Sequence, residues 1–195
     1  MPQGHKRYRF YNVRRLEDCL VSHILDYFYS EFCDTAIGGM GRHFSGAPDN
    51  LTVVLKGHLI VEKLMRDFCS IVVPNYEFFE KAELNFQKLT FITRSLIIHP
   101  APHVDVSWLW GAVNSFNRIR NIYAHHLEPE SGKLEKELEK FKLSLRVFEE
   151  EGAPEQEFVH RVTNFISAFS GYLLLVAQKH SERAQGAVPP EDLFE

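Results

Sequence analysis

The chain has few of the residues that mark several familiar classes of protein. Its 195 residues include three cysteines, Cys19, Cys33 and Cys69, and no CxxC pair, which excludes a disulfide framework and a zinc-ribbon or thioredoxin-type motif. The longest apolar run, Leu173 to Ala177, is far shorter than the ~20 residues of a membrane span. The basic N-terminus lacks the apolar stretch of a secretory signal. We therefore expect a cytoplasmic protein with unpaired thiols and no membrane segment.

The sequence also lacks a large excess of charge and any useful period-two alternation. The net charge is −4, so no global basic field indicates a nucleic-acid binder, and a ligand must be recognised locally. Without alternating segments we predict no strands. Hydrophobic residues make up 45% of the chain, which is enough for a real core. Length and composition together predict one domain of the all-α class.

Apolar residues recur at helical spacing in most of the chain. Asp49 or Asn50 is the expected N-cap of the second helix, Asp105 that of the fourth, and Pro74 ends the second. The predicted helices cover about 14–33, 51–72, 79–98, 106–125, 133–148 and 156–180. The sequence thus predicts a five- to six-helix up-and-down bundle over 14–182, between a basic arm, 1–13, and a disordered tail, 183–195.

The fourth predicted helix carries polar side chains where a plain solvated face would carry lysine, glutamate and arginine. Its apolar face comprises Leu109, Ala112, Val113, Phe116, Ile119 and Tyr123. A second face comprises Trp110, Asn114, Asn117, Asn121 and His125. Asparagine and histidine at this spacing indicate a polar, partly enclosed surface. That surface is either a hydrogen-bonded contact between helices or a functional site.

The second predicted helix shows a related anomaly. Its stripe is apolar at both ends and polar in the middle, where His58 and Glu62 lie. These two side chains either point inward or lie at the rim of the bundle. An inward carboxylate needs a partner, most economically an arginine or a histidine. Arg120 or His125 of the fourth helix is the partner we expect.

The fourth helix also contains a motif. In NRIRNIYAHHL, Arg120, Asn121 and His125 form an RNxxxH hexad at the end of an apolar helix. This hexad resembles the signature of the HEPN superfamily, and the upstream stretch KGHLIVEKLMRDF is similar to an earlier helix of many bacterial members. The resemblance covers roughly 50–128. One toxin branch carries a tyrosine two residues after the histidine, where this chain has Leu127, so the modification of that tyrosine is not carried over.

The resemblance implies a metal-independent endoribonuclease that works as a homodimer without a cofactor. Arg120 and His125 would be catalytic, with His126 as the adjacent alternative, and RNA would supply its own 2′-OH nucleophile. A toxin–antitoxin or antiphage role, with an antitoxin protein as a further partner, is implied in the same way. Within this scheme Asn121 orients the motif, Glu62 anchors Arg120, and Arg118 binds RNA. The supporting residues are Asn121, Glu62, His58, Asn117 and His126.

The spacing of the two catalytic candidates raises a geometric problem. Arg120 and His125 lie about 140° apart around a straight helix, whereas Asn121 and His125 share a face. Either the helix unwinds near His125, the long arginine wraps around it, or the residues meet across a two-fold axis. We expect the third case, a dimer through the face that carries Asn114, Asn117, Asn121 and His125.

Two other functions remain open at this stage. The first is a non-catalytic HEPN-like interaction or regulatory protein, in which the hexad serves dimerisation. The second is a small-molecule pocket lined by Trp108, Trp110 and Phe116. The basic arm 1–13 could contact single-stranded RNA, although a solvated arm is the simpler interpretation. His99 and His103 flank prolines and do not have the spacing of a helical metal pair, so no metal site is predicted.

Overall fold

The computed structural model describes Phe44 and residues 49–99, 104–125, 131–146 and 157–186. Within these ranges it has no strand, and the all-α prediction is confirmed there. The predicted arm (1–13), the predicted first helix (14–33) and most of the predicted tail lie outside the described residues. The helices are α1 Asn50–Val72, α2 Tyr76–Lys81, α3 Phe86–Ser95, α4 Ser107–His125, α5 Ser131–Ser144 and α6 Phe158–Gly186.

Helix α1 begins and ends at local signals in the sequence. The Asp49 carboxylate accepts hydrogen bonds from the Thr52 backbone N–H at 2.9 Å and from its hydroxyl at 2.8 Å, which satisfies donors of the first turn. Pro74 cannot continue the helix, and the N–H of Val73 closes the last turn on Cys69 O. The choice between Asp49 and Asn50 as N-cap is therefore decided for Asp49.

Helices α1, α4 and α6 meet closely at Gly57. A Cβ at this position would lie 2.9 Å from Cζ of Phe116 on α4 and 3.1 Å from Cγ1 of Val162 on α6. The α1 backbone can approach the other two helices because Gly57 has no side chain. Helix α1 packs most extensively on α6, and α4 packs on α5, with α1 joining the two pairs through α4.

The prediction of one helix over 79–98 is wrong, because two helices occupy this region. Helix α2 ends at Lys81 and α3 begins at Phe86. Between them Glu83 has a positive φ of 46°, which an α-helix does not allow. Asn85 then caps α3 by accepting a hydrogen bond from the Lys88 N–H at 2.9 Å. The break contains no glycine or proline, so its main signal in the sequence is Asn85.

Helix α4 carries the predicted apolar face into the core. Leu109, Ala112, Val113, Phe116 and Ile119 are almost fully buried, and Tyr123 is half-buried. Asp105 also acts near the predicted place, since its carboxylate accepts a hydrogen bond from Ser107 N–H at 2.8 Å. The helix includes His125 as its last described residue, so the alternative in which it unwinds near this residue stays a prediction.

Aromatic rings from three helices form the centre of the core. Phe116 of α4 stacks on Phe141 of α5 at 5.3 Å between ring centroids, and both rings contact Phe165 of α6. The last helix is longer than predicted and runs to Gly186, so the tail cannot begin at residue 183. No described helix is long and apolar enough to cross a membrane.

Candidate functional site

Polar residues of α1 and α4 meet where the two helices pack, and we call the edge of this contact, around His58, Glu62, Asn117 and Arg120, the α1–α4 groove. His58 Nε2 lies 3.0 Å from Oδ1 of Asn117, and the imidazole stacks on Phe86 at 4.1 Å between centroids. His58 is only 4% exposed, so it points inward, as one of the two sequence interpretations held. The two helices also approach closely one residue earlier, where Gly57 of α1 faces the ring of Phe116 of α4.

The fold keeps His58 neutral. Burial lowers the pKa of His58 below its ordinary value of 6.5, and the positive charge of Arg120 lowers it further. The hydrogen bond to Asn117 and the negative charge of Glu62 oppose this shift without cancelling it. A neutral ring carries one N–H, and a carbonyl oxygen only accepts. Nε2–H of His58 therefore donates to Oδ1 of Asn117.

Glu62 has a different partner from the one predicted. Its Oε1 accepts hydrogen bonds from Nη2 of Arg66 at 2.7 Å and from Nε at 3.2 Å, one turn along α1. Arg66 also donates to the carbonyl of Leu84 at 3.0 Å. The expected bond to Arg120 or His125 is absent from the described contacts of Glu62. Because Glu62 is half-buried at the rim, a neighbour on the same helix face reaches it first.

Arg120 turns toward the asparagine face of α4. Its Nη1 donates to Oδ1 of Asn121 at 3.1 Å, and the residue is half-buried. Asn121 shares a helix face with His125, so the long side chain covers part of the angle that separates the two motif residues. This direction of the side chain is the one that a wrapped arginine requires, and the choice among the three geometric solutions stays a prediction. The contribution of a two-fold axis stays a prediction.

The catalytic histidine candidate is open to solvent. His125 is exposed at the last turn of α4, and it makes no hydrogen bond to another residue in the described ranges. Asn114 is exposed on the same side, and Asn121 is half-exposed. His126 lies outside the described residues, so the choice between the two adjacent histidines stays a prediction.

Two residues that the sequence placed near this face lie elsewhere. Trp110 is 6% exposed and packs edge-on against Phe169 at 5.5 Å, so it belongs to the core. Arg118 is exposed and points toward α5, where its Nη1 lies 3.7 Å from Oε1 of Glu137. Its predicted role, binding RNA, stays a prediction. Glu137 itself is 8% exposed.

Two of the proposed walls of the small-molecule pocket are packed against other helices. Phe116 is fully buried against aromatic rings of α5 and α6, and Trp110 is covered by α6. Trp108 is half-buried. In the described ranges, no group of three or more His, Cys, Asp or Glu is placed to hold a metal ion. Of the two flanking histidines, His99 is exposed and His103 is not described.

Sequence reasoning missed two contributors to the groove, Phe86 and Arg66. Phe86 covers one face of His58, and Arg66 neutralises Glu62. The position of Phe86 depends on the helix break at Glu83, which was not predicted. Arg66 was detectable from its i, i+4 spacing to Glu62.

Comparison with known proteins does not place the chain in a family. No protein-family model, no curated protein and no solved structure matches it. Its function is therefore argued from the residues of the α1–α4 groove and from the hexad.

Proposed function

We propose that the chain is a metal-independent endoribonuclease of the HEPN type, with the bundle architecture of that superfamily. The observation that carries this proposal is the position of the hexad side chains. The Arg120 guanidinium bonds to Asn121, on the face where His125 is exposed. A buried, dry contact around Arg120 and His125 would have favoured a purely structural role.

The residue types suit cleavage of RNA without a metal. The 2′-oxygen attacks the adjacent phosphorus as its proton passes to a base, and the bond from phosphorus to the 5′-oxygen breaks as that oxygen gains a proton. A histidine titrates near neutral pH and serves either step. Arg120 stabilises the charge on the phosphoryl oxygens through parallel N–H bonds. The products are a 2′,3′-cyclic phosphate and a 5′-hydroxyl.

A homodimer would supply both proton-transfer groups. We propose that two copies associate through the face that carries Asn114, Asn117, Asn121 and His125. Two copies of His125 would then stand on either side of one RNA strand, one as base and one as acid. A toxin–antitoxin or antiphage role, with an antitoxin protein as regulator, follows from the sequence resemblance alone and belongs to the same proposal.

The proposal is tested by incubating the purified protein with total RNA in EDTA. We expect cleavage by the wild type, and at least about a 100-fold slower rate for His125→Ala and for Arg120→Ala, because each removes a group that acts on the transition state. His160→Ala is the matched control, since His160 is an exposed histidine on α6, distant in sequence from the hexad. Wild-type rates in both motif variants would overturn the proposed mechanism.

A second candidate, a non-catalytic interaction protein, is favoured by one observation. Leu51, Leu55 and Leu59 lie one turn apart on α1 and are 41%, 39% and 66% exposed. Such an apolar row suits contact with another protein surface. Size-exclusion chromatography with light scattering, run beside the cleavage assay, separates the two candidates. A stable dimer that leaves RNA intact in EDTA would support the interaction protein.

A further inference from the structure

The amide of Asn117 has one end occupied and the other free. Its Oδ1 accepts the hydrogen bond from His58 Nε2 at 3.0 Å. Its Nδ2 makes no hydrogen bond to another residue in the described part of the chain, and Asn117 is half-exposed. Two N–H groups therefore remain available at the edge of the α1–α4 groove.

The group that holds this amide is itself fixed. His58 is enclosed by α1, by Phe86 at the start of α3 and by Asn117 of α4. With Oδ1 of Asn117 3.0 Å from Nε2 of His58, the nitrogen end of the amide points away from the ring. A flipped amide would require the other tautomer of His58, in which Nε2 accepts a hydrogen bond from Nδ2. The tautomer of His58 and the orientation of Asn117 are therefore linked.

The surroundings of the free amide nitrogen carry positive charge. Arg120 lies three residues after Asn117, on the adjacent part of the same helix surface, and its charge acts on His58. The nearby carboxylate of Glu62 is neutralised by two hydrogen bonds from Arg66. His58 is uncharged. Within the described residues Arg120 has no carboxylate partner, and an amide donor beside such a guanidinium is suited to an anion such as a phosphodiester.

We propose that Asn117 is a substrate-binding residue that donates its Nδ2–H to a phosphodiester oxygen of RNA, with His58 as the positioning residue that fixes the amide. This inference rests on the proposed function, in which Arg120 holds the same phosphate. The proposal adds Asn117, a residue outside the hexad, to the residues that bind the phosphate. It also assigns His58 the role of orienting the Asn117 amide.

The binding test uses a single-stranded RNA with 2′-O-methyl groups, which has no 2′-OH nucleophile and is not cleaved. Asn117→Asp keeps the shape of the side chain and replaces the donor with a carboxylate. We expect its Kd to rise at least about tenfold, as loss of a hydrogen bond to a charged group implies. Asn75→Asp adds the same charge at an exposed amide on another element, and its Kd should stay within about twofold of the wild type.

The positioning role is tested on His58. His58→Gln retains an N–H donor near the position of Nε2, whereas His58→Met fills the space without a donor. Affinity for the 2′-O-methyl RNA should fall for Met and be restored by Gln, in samples whose folding is checked by circular dichroism. In the wild type, long-range ¹H–¹⁵N NMR should show His58 as the Nε2–H tautomer, a readout that needs no variant to fold.

The outcomes separate this inference from the proposed function. If Asn117→Asp binds RNA within twofold of the wild type, or His58 is the Nδ1–H tautomer, the inference is wrong even if His125→Ala abolishes cleavage. If His125→Ala cleaves normally while Asn117→Asp loses affinity, the anion site stands and the mechanism fails. A wild type that binds no RNA overturns both.

Discussion

His58 is a titratable residue that the fold holds in its neutral form, so stability should depend on its protonation. Its pKa is near 6.5 in the unfolded chain and lower in the folded one. Between these values the unfolded state binds more protons, so the free energy of unfolding falls as the pH falls. We expect the free energy of unfolding to decrease as the pH falls below about 6.5, by at most about 1.4 kcal/mol per pH unit from this residue. The decrease should stop once the pH is below the pKa of His58 in the folded state.

Urea unfolding of the wild type and His58→Gln between pH 7.5 and 5 checks this prediction. The variant should show a smaller loss of stability with acid, because glutamine does not titrate. Exposed histidines such as His125 and His160 are present in both proteins and cancel in the comparison. Equal slopes in the two proteins would contradict the assignment of the effect to His58.

Side-chain direction was easier to predict from the sequence than side-chain partners. The stripe on α1 left His58 either inward or at the rim, and the structure shows the inward position, because helical periodicity fixes which residues share a face but not how deeply each is buried. The partner of Glu62 was wrongly sought on another helix, although Arg66 is one turn away. Arg118 meets Glu137, a contact that depends on how α4 and α5 are rotated against each other. That rotation is not encoded in the period of either helix.

At the scale of elements, the break between α2 and α3 provides a stability prediction. Glu83 adopts φ of 46°, where a residue with a Cβ is strained and glycine is not. Glu83→Gly should raise the free energy of unfolding by about 0.5–1 kcal/mol, the difference between relieved strain and the greater freedom of the unfolded chain.

Glu80→Gly is the matched control for this substitution. Glu80 is exposed within α2, so the same replacement there should lower stability by about 1 kcal/mol. Thermal or urea unfolding of the two variants and the wild type shows whether each substitution raises or lowers the free energy of unfolding. A destabilised Glu83→Gly would show that the positive φ carries no strain.

The ends of the elements were predictable only where one residue type dictates them. Asp49 and Pro74 fixed both ends of α1 to within a residue, because a side-chain cap and a missing N–H act locally. The break at Glu83 has no such residue at its centre. The run around it favours a helix by periodicity, and tertiary packing of α3 on α1 decides where the helix ends.

At the scale of the whole molecule, the core could be predicted and the groove could not. Phe116 and its neighbours on α4 were assigned to the core by spacing alone, and they are buried there. The α1–α4 groove requires the packing of two helices that are separated in sequence, and a third helix to cover His58. The hexad on α4 indicated one side of this groove. The polar residues His58 and Glu62 in the stripe on α1 indicated the other side.

The overall charge of −4 makes the salt dependence of RNA binding a test of which cations contact the strand. Binding to single strands weakens with a slope of log K against log salt of about −0.7 per phosphate neutralised. In the proposed dimer, two copies of Arg120 give about −1.4, and adding both copies of Arg118 gives about −2.8. Because Arg118 lies 3.7 Å from Glu137, we expect a slope near the smaller value.

The dependence of binding on salt can be measured by fluorescence anisotropy of the 2′-O-methyl RNA. Titrations at salt concentrations between roughly 50 and 300 mM give the slope of log K against log salt. Arg120→Gln should flatten the slope to near zero, whereas Arg118→Gln should change it little, because the Arg118 guanidinium is directed toward Glu137 of α5, a carboxylate that Lys140 also binds at 2.6 Å. A slope steeper than about −2.8 would contradict the prediction, since further cations would then have to contact the strand. The basic residues of 1–13 are the first to substitute in that case, and the groove would no longer be the main source of affinity.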